Sequence, residues 1–90
     1  TTILLKALIV GMRIDTTGGI AAYELNAVLT NETGTLTIKS QSLTVIHEDN
    51  TSYNADVIVS GNAYQIRVQG VAGHTIRWSC RLQTVWVRNI

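Results

Sequence analysis

The most chemically suggestive run in this sequence is His47-Glu48-Asp49, an imidazole beside two carboxylates. Consecutive side chains on a strand diverge to opposite faces, and no second histidine or carboxylate stands at ligand spacing. Neither a metal site nor general acid/base catalysis follows. The run opens HEDNTS, the most polar segment of the chain, which reads as a solvated loop over 47–52. Serine, histidine and aspartate all occur, but without the strand-turn-helix elbow that presents a nucleophilic serine. Gly70 to Gly73, GVAG, has the glycines of a phosphate loop without its lysine or following helix, and reads as a β-turn. Cys80, the single cysteine, lies in phase with Trp78, where a buried and inert thiol is expected rather than a nucleophile. Arg67, Arg77 and Arg81 are interspersed with Gln65, Gln69 and Gln83 and are expected on the outer face of adjacent strands. There they could hold a carboxylate-bearing sugar or an acidic neighbour, although a solvated sheet face is the commoner use of such residues. Tyr53, Tyr64 and Trp86 could offer flat faces to sugar rings, although core or interface packing is the commoner use of such residues. No paired acids share a face as in a glycoside hydrolase. The chain is read as non-enzymatic, with no catalytic residue, metal or cofactor.

Strands must position these side chains. From Gly73 to Val87 the pattern has period two, with Ile76, Trp78, Cys80 and Leu82 on one face and Arg77, Ser79, Arg81 and Gln83 on the other. Both tryptophans lie here, so the core is expected to form against this strand. After Thr84 the polar face turns apolar at Val85 and Val87, which calls for a bulge or for cover on both faces. Ile3 to Ile14 is apolar on both faces; Gly11 and the β-branched residues favour a doubly covered strand over a buried helix. Ile20 to Thr30 alternates cleanly, with Ala21, Tyr23, Leu25, Ala27 and Leu29 in one row. In Thr35 to Ile46, Leu36 and Ile38 are out of phase with Leu43 and Val45, so the chain must bulge or bend across Lys39 to Ser42, as where a strand crosses between sheets. Tyr53, Ala55, Val57 and Val59 form a further row, Gly61-Asn62 a hairpin turn, and Tyr64, Ile66 and Val68 the row after it. DTTGG at 15–19 and NETG at 31–34 are turns. About seven short strands and no proline predict an antiparallel β-sandwich, one domain over residues 1–90.

Ninety residues bury only about 60% of their unfolded surface as a monomer. The chain is 46% hydrophobic and only 14% charged, against roughly 25% charged in an ordinary soluble domain. So few charges predict that part of the surface meets another subunit. A net charge of +1, with its cations dispersed, gives no reason to expect nucleic acid. The apolar run Ile3 to Val10 is too short to span a bilayer, which takes about 20 residues, and lacks the features of a signal peptide. A chain beginning at Thr1 in strand-like sequence is expected to be a piece of a longer polypeptide or a processed product.

The succession AAYELNAVLTNETGTLTI, SQSLTVIHED and AYQIRVQGVAGHTIRWSCRLQTVWV resembles the C-terminal segment of many tailed-bacteriophage structural proteins, tail fibres and tail spikes among them. The shared features are the Asn31-Gly34-Thr35 turn, the Ile46-His47-Glu48-Asp49 loop, the Val68-Gly70-Gly73-Thr75 turn and the closing Arg77-Trp78-Arg81 strand. Together they span about Arg13 to Val87. The basic ending VWVRNI departs from the acidic one expected of the family. The resemblance implies a jelly-roll-like tip or trimerisation module at the C-terminal end of a virion protein, assembled in the host cytoplasm, and brings no catalytic residues. With it, the expected partners are two further copies and the rest of the fibre or spike, and the expected interface is Ile3, Leu5, Ile9, Val85 and Val87. The alternative is a receptor- or glycan-binding tip using Arg67, Arg77, Arg81, Tyr53, Tyr64, His47, Glu48 and Asp49.

Overall fold

The computed structural model describes residues 1–88, which fold into six strands with no helix. β1 (Thr2–Arg13), β2 (Ile20–Glu32), β3 (Thr35–Glu48), β4 (Asn54–Ser60), β5 (Ala63–Gln69) and β6 (Ile76–Val87) make two antiparallel sheets. One has the order β3-β2-β1-β6, and the other is the β4-β5 hairpin. β1 to β3 form a meander, and the chain returns through the hairpin to lay β6 beside β1, a Greek-key connection. Strands number six rather than seven because Thr35–Glu48 is continuous.

The phase slip within β3 is a bulge. Ile38 opposes Leu29 and Ser40 opposes Val28, so Lys39 is the extra residue. It brings Leu43 and Val45 onto the face of Leu36 and Ile38, and β3 stays in one sheet instead of crossing to another. A second bulge at Ile46 separates Val45, opposite Tyr23, from His47, opposite Ala22. The strand extends through Glu48, so the polar loop is shorter than HEDNTS. The β2-β3 turn has positive φ at both central residues, Thr33 (53°) and Gly34 (81°), as a tight type I′ hairpin requires.

β1 and β2 pair in unbroken register, Leu5 opposite Ala27 and Ile9 opposite Tyr23, so their odd-numbered side chains share one face. On it Ile3, Leu5, Ala7, Ile9, Tyr23, Leu25 and Leu29 are no more than 3% exposed. The hairpin covers this inner face with Tyr53, Ala55 and Val57. Gln41 ties the layers together, its side-chain amide donating to the Val57 carbonyl and accepting from the Val57 N–H, each at 3.3 Å.

The core therefore sits on β1 and β2 and not against the tryptophan strand, because β6 is an edge and the hairpin leans over β2 and β3. Trp78 is half-buried and Trp86 is 53% exposed. Trp78 lies across Gly11, its partner on β1, where an added Cβ would come within 2.6 Å of the indole. The Tyr53 ring holds that indole edge-on at 6.4 Å. Gly11→Ala is expected to lower stability by about 1–3 kcal/mol in urea unfolding, since the indole must leave this contact; an unchanged midpoint would show that Trp78 is free to swing aside.

The radius of gyration is 14.9 Å, against about 12 Å for a compact domain of this length. Extents of 51 × 21 × 17 Å describe a flat rod along the strand direction.

Candidate functional site

Even-numbered residues of β1 and β2 point away from the hairpin, and with the odd-numbered residues of β6 they form the outer face of the four-stranded sheet. Period two gives this face the other half of an apolar strand. Leu4 is 50% exposed, Val10 49% and Met12 53%, and Leu8 and Ile20 are exposed beside them. On β6, Val85 opposite Leu4 and Val87 opposite Thr2 extend the patch at 63% and 66% exposure. β6 pairs with β1 without a bulge, so the turnover after Thr84 is a real change of face, uncovered within one protomer. Lys6, 3.1 Å from Glu24, stands on the same face between Leu4 and Leu8 and divides the apolar surface in two; exposed apolar surface of this extent is typical of interaction sites.

Ile3, Leu5 and Ile9 are not part of this surface. They lie at 3%, 0% and 3% exposure in the chain's own core. Of the five expected interface residues, Val85 and Val87 are accessible, and on β1 the accessible apolar side chains are Leu4, Leu8, Val10 and Met12. Cys80 shares the inner row with Trp78 as expected, but it lies on the uncovered edge and is exposed. Neighbouring apolar atoms hold its thiol above the ordinary value, which leaves it protonated at neutral pH.

The polar candidates fall on separate surfaces. Arg67 lies on β5, in the hairpin, where it makes a two-pronged pair with Asp56 at 2.9 and 2.6 Å. Arg77 and Arg81 lie on the outer face of β6, in the other sheet. The expected arginine cluster assumed that successive strands are neighbours, whereas β5 and β6 are not. An open depression lined by Asn54, Asp56, Arg67 and Gln69 thus has its cation already paired with its carboxylate. Tyr53 is buried, its hydroxyl 2.8 Å from His74 Nδ1, and Tyr64 packs against the core, so neither ring is a free platform.

Glu48 diverges from its two neighbours, whereas His47 and Asp49 come together. His47 Nε2 lies 2.7 Å from Asp49 Oδ1, and Asp49 Oδ2 accepts the Ile20 N–H at 2.9 Å. That backbone bond first, and His47 second, hold the Asp49 carboxyl below its usual range. Asp15, Glu24 and Asp56 are likewise lowered by Arg13, Lys6 and Arg67, all in exposed pairs of the kind that contribute little. Among the described residues no three histidine, cysteine or acidic side chains gather to hold a metal ion.

Glu48 turns inward and accepts a hydrogen bond from the buried Tyr23 hydroxyl at 3.2 Å. Burial, and then the Glu48 charge, push the Tyr23 phenol from 10.0 up to about 12. The folded chain holds this proton more tightly than the unfolded one. The resulting stability is full below pH 10 and is lost as pH rises toward 12, a difference corresponding to about 3 kcal/mol. Tyr23→Phe is expected to remove this component of alkaline unfolding, followed by circular dichroism; an unchanged alkaline transition would contradict it.

Comparison with known protein families, with curated proteins and with solved structures finds no match in any of the three.

Proposed function

We propose that the chain is a non-enzymatic assembly module, three copies of which associate through the outer face of the four-stranded sheet. The observation that carries this reading is the row Leu4, Leu8, Val10 and Met12 on β1, with Val85 and Val87 on β6, standing exposed beside a filled core. Burying each such side chain contributes roughly 1.5–3 kcal/mol, so a few per protomer suffice to hold a small domain in an oligomer. The number three, and the setting at the tip of a bacteriophage tail fibre or spike, rest on the resemblance carried by Asn31-Gly34-Thr35, Ile46-His47-Glu48-Asp49 and Arg77-Trp78-Arg81. In that setting each protomer is a small jelly-roll-like sandwich, assembled in the host cytoplasm and carried on the virion. Residues 1–90 fused to a monomeric carrier are expected to make the carrier trimeric by light scattering. A carrier that stays monomeric overturns the proposal.

A further inference from the structure

Resting on that reading, we propose that the copies join edge to edge: β6 of one protomer pairs antiparallel with β3 of the next, closing three four-stranded sheets into one ring. The two unpaired edges of the sheet are β3 and β6. They stand at the ends of an alternating four-strand run and so point in opposite directions. Rotation about an axis parallel to the strands preserves direction, and a neighbour's β6 arrives antiparallel to β3.

Register supports the match. β3 has 14 residues and β6 has 12. The bulged residues Lys39 and Ile46 drop out of the β3 ladder, leaving as many positions as β6 offers. With Thr35 opposite Val87 and Glu48 opposite Ile76, inner residues meet inner residues throughout: Leu36 meets Trp86, Leu43 meets Cys80 and Val45 meets Trp78. This contact covers the exposed flank of Trp86 and Val45. A slip of one residue would instead bring the inner side chains of one strand beside the outer side chains of the other.

Charge selects β3 over a second β6. Lys6, Arg13 and Arg67 have carboxylate partners in their own chain, whereas Arg77 and Arg81 have none among the described residues. Two β6 edges together would oppose these arginines with no acid on either strand. Against β3, Arg77 stands beside His47 of the next copy, at the end of the strand where Asp49 lies. The outer faces then line the inside of the ring, and the hairpins stand outside.

Oxidative cross-linking of the assembled chain tests the contact. Leu43→Cys adds a thiol to pair with the native Cys80; Ser42→Cys with Arg81→Cys, in a Cys80→Ser background, changes only exposed positions and guards against misfolding of the first variant. Adjacent ladder positions alternate between wide and narrow pairs, so at least one variant has disulfide-compatible spacing. The expected result is covalent trimers in that variant. Ser42→Cys beside native Cys80 points to the opposite face and is expected to give none. Chains that sediment as trimers without cross-linking in either variant overturn the edge contact alone; chains that stay monomeric overturn it together with the assembly reading. Covalent ladders longer than three overturn the closed ring.

Discussion

Val85→Asp is expected to convert the oligomer into folded monomers. In the protomer Val85 is 63% exposed, and a substitution at such a site changes protomer stability by only about 0.5 kcal/mol or less. It sits opposite Leu4 on the outer face, which the proposed assembly covers. There the aspartate loses roughly 1.5 kcal/mol or more of valine burial and adds the desolvation of a carboxylate, several kcal/mol, at every copy of the interface. Dissociation in sedimentation with an unchanged circular dichroism spectrum is the expected outcome. An oligomer of wild-type mass would place the interface elsewhere.

Leu5→Ala should have the opposite signature. Leu5 is fully buried, on a central strand between Ala27 of β2 and Thr84 of β6. Its truncation costs about 2–5 kcal/mol through lost burial and the cavity left behind. A domain of this size has roughly 5–13 kcal/mol in total, so the variant is expected to unfold at much lower urea concentration, to a similar degree at high and low protein concentration. If Leu5→Ala instead weakened association and left each protomer as stable as before, the odd-numbered face would be the interface and the assigned core would be wrong.

These two residues also show how far the sequence carries. Strands and turns were legible because glycine-containing turns punctuate runs of period two, and the β3 bulge was legible because Leu36 and Leu43 cannot share a face without one. Which face of β1 is inside was not legible. Ile3, Leu5 and Ile9 are as apolar as Leu4, Leu8 and Val10, and the choice is made by the hairpin, whose Tyr53, Ala55 and Val57 settle over one of two similar surfaces. The same placement explains Cys80 and Trp86, which lie in an apolar row on a strand the hairpin does not reach. Arg67 was misplaced because chain order does not give sheet order: β5 leaves the sheet and β6 returns to it. The bulge at Ile46 carried no phase signal strong enough to separate it from the loop that follows.

Sedimentation equilibrium of the chain over a wide concentration range tests the assembly most directly. A mass of three times the 9.8 kDa chain, holding to low concentration, is the predicted result. A folded monomer at every concentration would contradict it, and would mean that Leu4, Val10, Met12 and Val85 stand in water without a partner copy.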